Sequence, residues 1–380
     1  MIYLDNAATT FPKPKEVYDE VLDCMKNYAA NPGRGSYDMA IKASRKVTDT
    51  REEIAKLFNI PDLFDVIFTC SATEALNIGI KGFLKRKNHV ITTCMEHNSV
   101  LRPVSYLKKK GVQCSIAAAN KYGFVDEKEI EKFINPNTKM IVVNHVSNVT
   151  GSIQNIEAIG EIAYKRGIAF MVDASQSAGT LDIDVQKYHI DILALPGHKG
   201  LLGPQGTGVL YIRKGIKLAE FKSGGTGSNS FSVDQPEFLP DRFESGTLNT
   251  PGIAGLNAGI KFINEVGMSN IRKHEMELTE YLIDNLKSKD YIKLYGPPDM
   301  KNHGAVVSFN IDGIDSSDAA AFLNTKGIYV RNGYHCAPLV HKVIGTENKG
   351  TVRISPGYFN TIQDIEKLIQ ALIEINKGEI

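Results

Sequence analysis

Lys199 follows an apolar run, Leu193-Ala194-Leu195-Pro196, across Gly197-His198, and a glycine-rich stretch, Gly203-Pro204-Gln205-Gly206-Thr207-Gly208, comes soon after it. Burial at the end of such a strand penalises an ammonium and lowers its pKa. An amine freed in that way can form a Schiff base with an aldehyde, whereas a lysine on a surface turn cannot be singled out for chemistry. The run alone leaves both readings open. Its glycines do not decide the matter: they precede a strand instead of opening a helix, so the dinucleotide and Walker patterns fail. They read as turn residues admitting positive φ.

Other residues with chemical potential sit at comparable places. Ser71-Ala72-Thr73-Glu74 has the spacing of a capping box after the strand-like 65–69. A helix N-terminus there either is simply capped by Ser71 or takes an anion on its free N–H groups. Asp173 ends the run 168–172, where open α/β sheets bind ligands, and could cap a turn, bind a metal or pair with a protonated ring nitrogen. No His, Glu or second Asp lies close by, which weakens the metal option. His97, in Glu96-His97-Asn98-Ser99, and Asn148 reach the same edge from two further strands; an imidazole there could stack on a flat ring or serve its own loop.

Towards the carboxyl end, Arg331-Asn332-Gly333-Tyr334-His335-Cys336-Ala337-Pro338 places a cysteine in a loop marked by Gly and Pro. A neighbouring imidazolium and two arginines would favour a nucleophilic thiolate at Cys336. Cys24, Cys70, Cys94 and Cys114 read as structural cysteines in apolar helical or strand-like context. His335, Cys336 and His341 lack a fourth ligand or a familiar metal spacing, so no metal is expected. Arg353 interrupts the apolar run 351–355 and needs a carboxylate, from the protein or from a substrate.

The elements that must position these groups are legible in outline. The chain has 380 residues, enough for two cores, and a net charge of +1 without a basic stripe, so nucleic acid is not an expected partner. The N-terminus does not read as a leader and no apolar stretch reaches membrane-spanning length, so no membrane partner and a cytoplasmic location are expected. Five scattered cysteines without a Cys-x-x-Cys pair argue against a disulfide framework. Strand patterns at 65–69, 89–93, 112–117, 139–145, 168–173, 191–195 and 207–212 alternate with helical segments at 72–87, 100–110 and 156–166, which predicts an α/β fold with a mostly parallel seven-stranded sheet. An irregular segment, 223–232, and a helix, 252–266, lead to a smaller α+β C-terminal unit with helices at 270–288, 316–326 and from 361, and strands at 305–311, 328–331 and 350–355.

An amine, a strand-end acid, an anion site, a flat imidazole and a carboxylate-binding arginine are together what an enzyme using pyridoxal 5'-phosphate (PLP) requires. At this point the chain resembles the class V aminotransferase family, and within it the cysteine desulfurase and selenocysteine lyase branch, from Tyr3-Leu4-Asp5-Asn6-Ala7-Ala8-Thr9-Thr10 to Val352-Arg353-Ile354-Ser355. The resemblance implies PLP-dependent transferase fold type I, with a large PLP-binding domain at 12–262 and a small domain from 1–11 and 263–380. It implies Lys199 as the Schiff-base lysine, Asp173 as the partner of the ring nitrogen, Gln176 at the ring oxygen and His97 stacked on the ring. Ala72, Thr73 and His198 would hold the phosphate, joined by Thr247 of the partner subunit in a homodimer. Asn148, Arg331 and Arg353 would line the substrate pocket, with Arg353 on the carboxylate, and Cys336, on a short loop like that of the group II enzymes, would receive sulfur.

The implied activity is conversion of L-cysteine to L-alanine, with a protein sulfur acceptor in a setting such as iron-sulfur cluster assembly. L-selenocysteine, ordinary transamination, another C–S lyase reaction and a non-enzymatic sulfur carrier on the same fold are the alternatives. One position departs from the family: where a Ser or Thr commonly stands two residues before the His-Lys pair, this chain has Pro196, which offers a phosphate no donor. Phosphate binding is therefore expected to lean on Thr73, His198 and Thr247.

Overall fold

A computed structural model of the chain describes residues 1–33 and 35–378. The first third runs through β1 (Ile2–Tyr3), α1 (Lys15–Asp23), α2 (Asp38–Leu57), β2 (Val66–Thr69), α3 (Ala72–Phe83), β3 (His89–Thr93) and α4 (Asn98–Lys108). It continues through β4 (Gln113–Ala117), α5 (Glu127–Lys132), β5 (Thr138–Asn144), α6 (Ile156–Lys165), β6 (Ala169–Asp173), β7 (Ile192–Pro196) and β8 (Gly208–Ile212). After a long irregular segment come α7 (Thr250–Val266), α8 (Met268–Lys287), β9 (Ile292–Tyr295), β10 (Val307–Ile311) and α9 (Ser316–Thr325). The chain closes with β11 (Ile328–Tyr329), β12 (Arg331–Gly333), α10 (Pro338–Val343), β13 (Thr351–Ile354) and α11 (Ile362–Asn376).

Seven strands form one sheet in the order β2-β8-β7-β6-β5-β3-β4. β8 alone runs against its neighbours, so the expected mostly parallel sheet is present with one reversed member. Strands β2, β3, β6, β7 and β8 are buried throughout, as continuous apolar runs in a sheet covered on both faces should be. On one face Ile67, Met140, Met171 and Leu210 pack with Leu76 of α3 and Val104 of α4. On the other, Phe68, Ile141, Phe170 and Leu193 pack with Ile54 of α2, Ile159 of α6 and Ile260 of α7.

A second core lies around the antiparallel sheet β12-β13-β10-β9. Phe309, Val352 and Ile354 of that sheet meet Leu282 of α8, Phe322 of α9 and Leu368 of α11, and Ile2 and Leu4 from the amino end join them. The N-terminal segment thus begins in the second core and then crosses to the first, where Thr10 Oγ1 donates to the Lys199 carbonyl at 2.9 Å. Among the described residues no helix is long and apolar enough to cross a membrane.

The glycines after Lys199 turn out to serve mostly close approach. Only Gly206 of that run has a positive φ (76°). A Cβ at Gly208 would sit 2.6 Å from the Ser71 carbonyl carbon, so the bare backbone lets β8 run directly under the start of α3.

The large sheet is fastened to the segment before α7 by a buried pair. Glu244 accepts from the Phe68 N–H at 2.6 Å and from the Arg51 guanidinium. Truncating one partner strands the other's charge in the core. Glu244→Ala is expected to lower unfolding stability by about 3–5 kcal/mol, measured by denaturant titration, with Glu244→Gln less affected because it keeps an acceptor for the N–H; equal stability of Glu244→Ala and the parent protein would refute that role.

Candidate active site

A cleft of about 190 Å³ opens where β2, β3, β5, β6 and β7 end, with one wall supplied by β12 and β13 of the second core. Its walls include Ala72, Thr73, His97, Asn148, Asp173, Gln176, His198, Lys199, Arg331 and Arg353. Five separate strand ends converge because parallel strands all release their chains at the same sheet edge.

Lys199 lies on the cleft floor, three residues past β7, and makes no ion pair with any described residue. Enclosure by the protein lowers its pKa to about 8 against the opposing pull of Asp173, with Arg353 and Arg331 adding to the fall. Asp173 ends β6 and is buried. Its Oδ1 accepts from the Ser175 N–H at 2.9 Å and from the Ser175 hydroxyl at 2.5 Å, which is the turn-capping role. Its Oδ2 takes no hydrogen bond from a described residue, leaving that oxygen for a ligand in the cleft.

His97 caps α4: its Nδ1 accepts from the Ser99 N–H at 3.1 Å, which leaves the ring proton on Nε2. Burial pushes the imidazole down to about 4, so it is neutral near pH 7. His198 is likewise held at about 4, by burial and by the charges of Lys199 and Lys13, while its Nδ1 lies 3.1 Å from Thr9 Oγ1. At the start of α3, Ser71 Oγ accepts from the Glu74 N–H at 3.2 Å, and Glu74 reaches back to the Cys70 N–H at 2.6 Å instead of to Ser71 itself. The first-turn N–H groups at Ala72 and Thr73 have no partner inside the helix, so they suit an anion. Gln176 points its Nε2 at the Ala7 carbonyl, 2.9 Å away.

Arg353 resolves its need for a carboxylate by pairing with Asp5, Nη2 to Oδ1 at 2.5 Å, while Nη1 donates to the Asn148 carbonyl at 3.1 Å. Its Nε is buried without a partner. Directly opposite it in the β12/β13 ladder stands a second guanidinium, Arg331, and two like charges facing each other favour an anion between them. Asp5 was not singled out by sequence reasoning as a site residue; an acid directly following the apolar Tyr3-Leu4 is the signal that could have found it. Thr9, Thr10 and Lys13, which hold the His198 and Lys199 carbonyls, were missed as well.

Two expected site residues lie off the cleft wall. Thr247 is exposed, 3.4 Å from Asn31 Nδ2, and Cys336 is exposed on the rim with Arg331 Nη2 3.6 Å from its Sγ. The imidazolium expected beside Cys336 is absent: His335 is buried against Thr351, its Nε2 3.0 Å from Oγ1, and desolvation keeps the ring neutral. Cys70 also departs from expectation, being exposed where the strand gives way to α3, while Cys24 is buried and Cys94 and Cys114 are half-buried.

The family model for class V aminotransferases matches residues 2–368. The chain belongs to the class V aminotransferase family. It is 39% identical to a probable cysteine desulfurase of Methanothermobacter thermautotrophicus over 98% of this chain and 94% of that one. It is 31% identical to a cysteine desulfurase of Haloferax volcanii, covering 98% and 88%. Among solved structures, the apo cysteine desulfurase of Thermococcus onnurineus superposes with a TM-score of 0.94 at 36% identity, covering 99% of this chain and 95% of that one. The cysteine desulfurase CsdA of Escherichia coli, in its S-sulfonic acid form, superposes with a TM-score of 0.90 at 26% identity, covering 99% and 94%.

Behind His97 this class V aminotransferase buries a second acid. Glu96 Oε1 accepts from Thr93 Oγ1 at 2.7 Å and from the Asn144 N–H at 3.1 Å, whereas Oε2 is buried without a partner. Burial raises its pKa from 4.5 to about 8. The unfolded chain therefore ionises Glu96 from about pH 4.5 upward and the folded chain only near pH 8, so this residue subtracts stability progressively across that window. Glu96→Gln, which mimics the protonated acid, should gain on the parent protein as pH rises from about 5 to about 8. Denaturation midpoints across that range check it, and a difference that stays constant with pH would contradict it.

Proposed function

We propose that this chain is a PLP-dependent cysteine desulfurase that converts L-cysteine to L-alanine and takes the sulfur onto Cys336 as a persulfide. The observation that carries the reading is one cleft bringing together an enclosed, unpaired Lys199 amine, the free Asp173 Oδ2 and the facing guanidinium groups of Arg331 and Arg353, with the Cys336 loop on its rim. The names of its relatives support the same reaction.

These residues fit PLP: an amine for the aldehyde, an acid for the ring nitrogen, a helix N-terminus for the phosphate and a flat neutral imidazole for the ring. When bound, PLP supplies an aldehyde for amine exchange and a ring that accepts the electron pair released at Cα. Lys199 would hold the aldehyde, and Asp173 would hold the ring nitrogen protonated. Ala72, Thr73 and His198 would take the phosphate, and Pro196 adds nothing there, so Thr247 of the partner subunit would complete the phosphate site in a homodimer. Arg353 would bind the substrate carboxylate, with Asn148 and Arg331 beside it. With PLP bound, Lys199 would be the group placed to take the Cα proton at Nζ, because enclosure lowers its pKa to about 8 and weakens its hold on a proton. The Cys336 thiolate attacks the substrate sulfur; the C–S bond breaks, its electron pair stays with the carbon skeleton, and protonation gives alanine. The persulfide then passes to a protein acceptor.

The position of Cys336 on the rim favours testing L-selenocysteine alongside L-cysteine, since a thiol is less necessary for the weaker C–Se bond. Cys336→Ala is expected to abolish alanine formation from L-cysteine. Full retention would overturn the persulfide step and point to a thiol-independent lyase or transaminase, and loss with L-cysteine alone would identify a selenocysteine lyase activity on the same site. Lys199→Ala should remove the absorbance near about 420 nm that a lysine-bound PLP gives. Thr247→Ala should weaken PLP retention several-fold in equilibrium dialysis, and retention equal to the parent protein would show that Pro196 is compensated elsewhere.

A further inference from the structure

Cys336 combines an exposed side chain with a main chain that is held on both sides. His335 and Cys336 are consecutive non-glycine residues with φ of 48° and 59°, a left-handed conformation that L side chains disfavour and that persists only where surrounding contacts impose it. Those contacts come from the large sheet. The His335 carbonyl accepts from Asn148 Nδ2 at 2.7 Å, and the Cys336 carbonyl accepts from the Asn98 N–H at 2.8 Å. Within the loop, the Ala337 N–H closes back on the Tyr334 carbonyl at 2.9 Å.

Asn98 is the first residue of α4, so its N–H has no partner inside the helix and is free to point outward. The residue before it, His97, caps the same helix and faces the cleft. One peptide group therefore ties the loop bearing Cys336, which belongs to the second core, to the strand-end residue that stands beside Lys199 and Asp173. With its carbonyl pinned, the Cys336 Cβ is fixed in place, and the thiol, now beside the Arg331 guanidinium, is reoriented only by rotation about χ1. Released from the pin, the loop is free to relax to right-handed φ, which would swing the Cβ of Cys336 and misdirect its sulfur.

We propose that the Asn98 N–H is a positioning group for Cys336, holding the sulfur-accepting thiol at the cleft mouth across the interface between the two cores. The proposal rests on the desulfurase reading above. Asn98→Pro tests it, because proline removes the N–H and puts its Cδ where the Cys336 carbonyl now sits, while the helix itself tolerates the change: proline is favoured at the first position of a helix, and His97 already has the extended backbone (φ −70°, ψ 157°) that a residue before proline adopts. Asn98→Ala keeps the N–H and serves as the comparison.

Asn98→Pro is expected to bind PLP with the parent absorbance but to form alanine from L-cysteine about tenfold more slowly than Asn98→Ala, the order of effect of one lost hydrogen bond. Alkylation of Cys336 by iodoacetamide should change several-fold in the proline variant alone. Independently of any substitution, the Asn98 amide of the parent protein should exchange with deuterium much more slowly than an unprotected amide if the bond to Cys336 is maintained. Equal turnover and equal alkylation in the two variants, or an Asn98 amide exchanging as freely as an unbonded helix end, would overturn the proposal. Cys336→Ala run in parallel separates the two levels: if it retains cysteine turnover, the desulfurase reading fails, and if it loses turnover while the Asn98 variants match, only the positioning role fails.

Discussion

Lys199 is enclosed without a carboxylate partner, and much of the architecture follows from that arrangement. A lysine paired with an acid would keep its proton; one surrounded by protein and by the positive charges of Arg331 and Arg353 holds it weakly, with a pKa near 8. Asp173 draws in the opposite direction but spends one oxygen on the turn at Ser175, so its charge faces the cleft without neutralising the amine. The carbonyls around Lys199 are fixed by the amino-terminal segment, Thr10 on Lys199 itself and Thr9 and Lys13 on His198. The amine is thus held in place through its main chain while its side chain stays free for chemistry.

That amino-terminal segment also joins the two cores. It starts beside the antiparallel sheet through Ile2 and Leu4, neutralises the buried Arg353 through Asp5, offers the Ala7 carbonyl to Gln176 and ends on Lys199. The carboxylate-binding arginine and the reactive lysine belong to different layers, and the turn-bearing segment from Asp5 to Thr10 spans the distance between them. A second crossing contact, from Asn98 to Cys336, does the same for the thiol. The cleft is therefore a product of the interface between the layers, and neither sheet alone contains a complete site.

Much of this was legible in the amino-acid sequence because the parallel strands are short, apolar and punctuated. The seven strand positions agree with the structure to within one residue, and their ends carry Ser71, His97, Asn148, Asp173 and Lys199 to one edge. The reversed direction of β8 was not readable, since an apolar run has no polarity of its own. Nor was the neutral state of His335: its position beside Cys336 suggested a charged ring, and only its burial against Thr351 shows otherwise. The acid that pairs with Arg353 lies 348 residues away at Asp5, a separation no local pattern can bridge. α1 and α2 passed unremarked as well, because their amphipathic faces pack on α7, far along the chain.

The decisive measurement is to load the purified protein with PLP, supply L-cysteine and a thiol reductant, and quantify both alanine and sulfide. Alanine and sulfide should form in equal amounts, with both lost in Lys199→Ala. Failure to form alanine from either L-cysteine or L-selenocysteine would contradict the desulfurase reading.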